Sequence, residues 1–159
     1  KNIDMVQYAG EGIKSFYLLF WNEIPSNIKT IEDLKNRENN TICVEPSTPS
    51  EYFLAQPQFE SITKKPIGKV VDMVMEIKYG KSLCAILEPL IVQGLIKKNP
   101  EIKTLRVPLP PAFQILGIGI GLKKNSTLTP HVTQSIANLK ADGTLAMLEN
   151  KWGISGEQS

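Results

Sequence analysis

Two short stretches of this chain combine acidic side chains, hydroxyl groups and a helix-starting pattern, a combination that can hold a small charged molecule. The first runs from Glu45 through Pro46, Ser47, Thr48, Pro49 and Ser50 to Glu51, directly after the apolar run TICV. The second is Glu88-Pro89, directly after SLCAIL. A helix start presents unpaired N–H groups and the positive end of the helix dipole, which suit an anion. A nearby carboxylate such as Glu88 suits an ammonium, through a charge-assisted bond. Local structure offers a plainer use for the same residues. Thr48-Pro49-Ser50-Glu51 places Thr at the cap, Pro at the first helical position and Glu at the third, which satisfies a helix start by itself. Glu88 before Pro89 reads equally as an acidic cap, worth about 0.5–2 kcal/mol. The residues alone leave both uses open.

Other reactive side chains carry less. Cys43 and Cys84 each sit inside an apolar run (TICVE and SLCAIL), where free thiols pack like small hydrophobes. Neither has a ligand at a spacing typical of zinc. The single His, His131, falls in a helical stretch away from both segments, so no Ser/His/Asp or Cys/His grouping is in view. No cofactor is expected. Lys69 reads as solvated, Trp21 and Trp152 as packing residues, and the Lys-Lys pairs at 64–65, 97–98 and 123–124 as loop or helix-end charges.

The elements that position the two segments alternate between strand and helix. SFYLLFW (Ser15 to Trp21) is a continuous, aromatic-rich apolar run and predicts a buried strand. A capped helix follows from Thr30 to about Arg37, then strand TICVE, a helix from Pro49, and a strand near Ser61 to Lys65. Val70, Met73, Val74 and Ile77 share one helical face that stops at Gly80. SLCAIL, a helix to about Lys98 and the extended TLRVPL complete the series. This order implies a mostly parallel sheet with helices on both faces, over about residues 23–107. Ligands of open α/β sheets bind beyond the carboxyl ends of the strands, where Glu45 to Thr48 and Glu88 fall.

Two extended segments flank this unit, 15–22 and 108–122. The glycine alternation Gly117, Gly119, Gly121 in the second points to close backbone packing or bending. Residues 1–14 read as the remnant of another lobe and 123–159 as two of its helices, without a sheet of their own. The charge, 18 basic against 16 acidic residues, net +2, is too balanced for a nucleic-acid or membrane-surface protein. No apolar stretch approaches the roughly 20 residues that cross a bilayer.

Three motifs resemble one known family, the extracellular solute-binding proteins of family 3, which have the type II periplasmic binding fold. LKADGTLAMLENKWG (Leu139 to Gly153) is similar to its LxxDGTxxxIxxKW ending, GKSLCAILEP (Gly80 to Pro89) to its G(R/K)xDAxxxD strand, and ICVEPSTPSEYFL (Ile42 to Leu54) to its (I/V)GVxxGTTxExYL turn. Within the family the chain looks most like the chlamydial-type arginine-binding members. The resemblance implies an α/β protein that closes two lobes over a polar amino acid, arginine being the candidate, and delivers it to an ABC permease in the inner membrane. It implies a periplasmic location, with the export signal and most of the first lobe preceding Lys1, and binding rather than catalysis. It puts Glu88 where the family keeps its ammonium-binding acid, and Ser47, Thr48, Ser50 and Glu45 around its carboxylate-binding turn. Ser47 replaces the family's Gly, and Pro49 removes an N–H from that turn. A chain lacking the family's upstream carboxylate-binding Arg is expected to bind weakly and to self-associate through its uncovered apolar face. The alternatives are an enzyme on the same fold, of the cyclohexadienyl-dehydratase type, or the ligand-sensing domain of a regulator or receptor.

Overall fold

The computed structural model describes residues 2–9, 12–115 and 117–152. Lys1, Leu116 of the second extended segment, Gly153 of the C-terminal motif and the rest of 153–159 lie outside the described residues. In chain order the elements are β1 (Ile3–Ala9), β2 (Ser15–Trp21), a 3-10 turn (Ile31–Asn36), β3 (Ile42–Val44), α1 (Pro49–Leu54), β4 (Lys64–Pro66), α2 (Val70–Lys78), β5 (Cys84–Leu87), α3 (Pro89–Lys98), β6 (Ile102–Pro108), β7 (Ile118–Lys123), α4 (Leu128–Ala141) and α5 (Thr144–Trp152). They form two compact units. One is Lys14–Gln114; the other joins Lys1–Ile13 to Ile115–Ser159.

The unit 14–114 is built on a five-stranded sheet in the order β4-β3-β5-β2-β6. β3 runs parallel to β4 and to β5, whereas β2 is antiparallel to both β5 and β6. The sheet is thus mostly parallel, as the alternation implies, with β2 as its antiparallel strand. β5, α3 and β6 do form a parallel-sense crossover, but β2 has entered the gap between the two strands. Strand–helix alternation reports the direction of successive strands and says nothing of an earlier strand inserted between them. Consequently Ser15–Trp21, expected to flank the lobe, lies inside its sheet and pairs with β6 from Ser15↔Pro108 to Trp21↔Ile102.

Burial on both faces explains why β2 reads as an unbroken apolar run. Leu19 packs with Cys43, Ala85 and Leu87 of the neighbouring strands and with Met73, Val74, Ile77 and Val92 of α2 and α3. On the other face Phe16 meets Phe53 of α1 at 5.8 Å between ring centroids, and Phe53 meets Phe59 at 5.1 Å. Edge and tilted contacts of this kind add about 0.5–1.5 kcal/mol each beyond their buried area. α2 buries the predicted Met73, Val74 and Ile77 and ends at Gly80, which takes a left-handed φ of 66°. The helix expected from Thr30 is a 3-10 turn, closed by Asp33, whose carboxylate accepts from the Lys29 and Thr30 N–H groups at 2.8 and 2.9 Å.

The other unit holds a two-stranded antiparallel sheet, β1 with β7, in the register Ile3↔Lys123 to Val6↔Ile120. Neither strand pairing nor β1 itself was foreseen for residues 1–14. The expected second extended segment, 108–122, is not continuous: a 3-10 turn at Pro111–Phe113 and a left-handed Gly117 (φ 107°) interrupt it before β7. Gly12, at φ 89°, lies so close to the Ile115 carbonyl oxygen that a Cβ would sit 1.9 Å from it, so only glycine fits. α4 packs against β1 and α5, yet neither helix has a buried residue among those described.

Candidate functional site

The parallel register of β3 and β5, Ile42↔Cys84 and Cys43↔Ala85, brings the carboxyl ends of both strands to one edge of the sheet. Glu45 follows β3 directly and Glu88 follows β5 directly, so two acidic residues far apart in sequence become neighbours. A cleft of about 130 Å³ opens there, lined by Glu45, Thr48, Ser50, Leu87, Glu88 and Ile91. Four of the five residues singled out from sequence thus meet in one place. Ser47 does not line the cleft. Leu87 and Ile91 were not foreseen as lining residues. Their signal was positional: the last residue of the strand, and the residue three places beyond Glu88 on the helix it starts.

Glu88 occupies the cap position of α3, and its carbonyl accepts from the Ile91 and Val92 N–H groups at 3.1 and 3.2 Å. Its side chain makes no capping hydrogen bond. Among the described residues neither the Glu88 nor the Glu45 carboxylate has a hydrogen-bond or ion-pair partner. Glu88 is half-buried, and that burial, followed by the Glu45 charge, raises its pKa above the ordinary carboxylate value. An acidic helix cap would have turned its oxygens back onto the first-turn N–H groups. This one leaves them directed elsewhere.

The turn before α1 is organised differently. Thr48 Oγ1 donates to the Glu45 carbonyl at 2.6 Å and accepts from the Glu51 N–H at 3.3 Å. Ser50, which is 3% exposed, has its Oγ 2.9 Å from Thr48 Oγ1. A hydroxyl has one proton. Since that of Thr48 goes to the Glu45 carbonyl, Ser50 is the donor in the pair. Glu51 reaches back to accept from the Ser47 N–H at 2.7 Å, and Ser47 itself has a left-handed φ of 62°, the conformation glycine adopts most readily. Of the donors the turn could offer an anion, the Thr48 hydroxyl and the Ser47 and Glu51 N–H groups are engaged within the turn, and the Ser50 N–H is not. The two carboxylates lining the cleft suit a cation, and the Ser50 N–H remains as a donor of the turn.

The remaining sequence candidates stay outside the cleft. Lys69 is exposed at the start of α2, Trp21 packs at the core edge with the Lys78 ammonium 5.2 Å from its ring centroid, and His131 and Trp152 are exposed. Cys43 and Cys84 are buried free thiols. Among the described residues no group of His, Cys, Asp and Glu could hold a metal ion, and no helix is long and apolar enough to cross a membrane.

This sheet, with cleft-lining residues at the carboxyl ends of its parallel strands and a second unit drawn from the segments before and after it, is the type II periplasmic binding fold. Structural neighbours agree. An ancestral arginine-binding protein bound to arginine superimposes with a TM-score of 0.76 at 20% identity, covering 94% of this chain and 64% of that one. A Salmonella typhimurium periplasmic binding protein described for its high arginine specificity gives 0.77 at 20% identity, with the same coverage. The GluR0 ligand-binding core in complex with L-glutamate gives 0.73 at 14% identity, covering 96% and 64%. No protein-family model matches the chain. By sequence it is 30% identical over 156 residues to a probable ABC transporter arginine-binding protein, ArtJ, of Chlamydia trachomatis, covering 98% of this chain and 58% of that protein. It is 27% identical over 135 residues to the arginine-binding extracellular protein ArtP of Bacillus subtilis, covering 84% and 51%. The chain is thus similar in sequence to these arginine-binding proteins and in fold to type II periplasmic binding proteins, and it spans little more than half the length of the curated relatives it matches.

Proposed function

We propose that the protein carrying this chain is the solute-binding component of an amino-acid ABC importer, and that Glu88 binds the α-ammonium of its ligand. The observation that carries this reading is the Glu88 carboxylate, half-buried at the edge of parallel strands and bonded to no group of its own helix. Such a group gains from a cation that follows it out of water. The Ser50 and Thr48 hydroxyl protons are taken by each other and the backbone and offer an anion no donor, which supports a positively charged guest. The ligand carboxylate then takes its donors from the facing lobe, which such proteins close over their solute. Arginine is the favoured ligand because both curated relatives are described as arginine-binding. Delivery to a permease, a location outside the cytoplasmic membrane and binding without turnover belong to the same reading.

Titration calorimetry of the intact protein with arginine tests it. We expect saturable one-to-one binding, with the ligand recovered unchanged. Glu88→Ala weakens binding by about 2–5 kcal/mol, the cost of leaving a desolvated ammonium unpaired. A folded Glu88→Ala variant with the affinity of the parent would remove Glu88 from the site.

A further inference from the structure

The cleft contains one carboxylate more than an α-ammonium requires. Glu45 lines it together with Glu88, and its position is fixed from behind: Thr48 Oγ1 holds the Glu45 carbonyl at 2.6 Å, just past the point where β3 pairs with β5. The two side chains feel each other, since the Glu45 charge adds to burial in raising the Glu88 carboxyl. The hydroxyls of the lining add no compensating proton. The Ser50 proton goes to Thr48 and the Thr48 proton to the backbone, so neither hydroxyl proton is left to face the carboxylates. A ligand with a neutral side chain brings a single cationic group to two carboxylates and leaves like charges facing each other in a partly desolvated space. A ligand with a second cationic group neutralises both.

We propose that Glu45 is a specificity-determining residue of this cleft, selecting amino acids whose side chain carries a second positive charge, a guanidinium or an ammonium, over neutral isosteres. This rests on the reading of Glu88 as the ammonium partner and goes beyond it by assigning the side-chain preference to a particular residue. The anion that Glu45 supplies is close to the α-ammonium site, and a planar guanidinium can meet a carboxylate through two parallel N–H bonds.

The test compares arginine with citrulline, which has the same shape and an uncharged ureido group, by calorimetry on the intact protein. The parent protein is expected to prefer arginine by at least about tenfold, an increment of roughly 1.4 kcal/mol. Glu45→Gln weakens arginine by about that factor and leaves citrulline unchanged or tighter, so the preference collapses; Glu45→Asp retains part of it. Glu88→Gln weakens both ligands together. A parent protein that does not discriminate, or a Glu45→Gln variant with an undiminished preference, overturns the role of Glu45 even if Glu88→Gln abolishes binding. Unchanged affinity for both ligands in Glu88→Gln instead overturns the reading of the site on which this proposal stands.

Discussion

Glu88 makes opposite demands on folding and on binding, and pH separates them. Its carboxyl is raised in the folded protein by burial first and by Glu45 second, so the folded state holds the proton better than the unfolded chain does. For an acid shifted upward, stability falls as pH rises from the ordinary carboxylate value through the raised folded one. Binding runs the other way, because an ammonium needs the ionised carboxylate. Over the same window, therefore, arginine affinity should rise with pH while the unliganded protein loses stability. Denaturant titrations and calorimetry across that range check the pair, and Glu88→Gln should flatten both slopes at once. Parallel slopes, or a slope that survives Glu88→Gln, would assign the effect to another group. Which residues to suspect was legible in the chain, since Glu45 and Glu88 each end an apolar strand. Their side-chain roles were not. The same T-P-S-E and E-P patterns that start a helix also line a cleft, and only hydrogen-bond geometry separates Thr48, engaged in its cap, from Glu88, which caps nothing.

At the level of elements the two cysteines show what strand pairing decides. Cys43 stands opposite Ala85 and belongs to the cluster beneath α2 and α3, whereas Cys84 stands opposite Ile42, one residue out of phase. Successive side chains alternate between faces of a sheet. The two sulfurs therefore lie on opposite sides of the sheet and cannot join without breaking the register. Burial also pushes both thiols upward, Cys84 furthest, which suppresses the reactive thiolate. Native protein should leave both cysteines unlabelled by a thiol reagent, with both becoming reactive together in the unfolding transition. Rapid labelling of either in the folded state, or a disulfide that forms without loss of structure, would contradict this arrangement. The sequence reading reached the buried, inert thiol from apolar flanks alone. It reached β2 as a buried strand but not its place between β5 and β6, which decides which strands are neighbours.

Across the whole molecule the buried side chains are unevenly shared. Among the described residues every buried apolar side chain except Val6 belongs to the unit 14–114. In the other unit α4 and α5 have no buried residue, and Ile3, Met5, Leu128, Met147 and Trp152 are each more than half exposed. Local opening energies follow buried apolar contact. In the 159-residue chain the amides of β2, β3 and β5 should then exchange with solvent far more slowly than those of β1, β7, α4 and α5. Hydrogen exchange followed by mass spectrometry distinguishes the two sets; equal protection would mean that the second unit draws stability from a source other than its own core.

What the sequence determined by itself is what depends on near neighbours along the chain. Apolar runs, the caps at Thr48 and Gly80 and the prolines at 49 and 89 mark where strands and helices begin and end, because those choices rest on contacts a few residues apart. The α/β class and the placement of both acidic segments at strand ends follow from that. Tertiary structure alone decided that β2 lies between β5 and β6, that residues 3–9 form a strand with 118–123, and that Glu45 and Glu88 share one cleft. Each of these depends on a pairing between residues tens of positions apart, and a period-two or period-3.6 pattern fixes which face of an element is buried without naming the element that covers it.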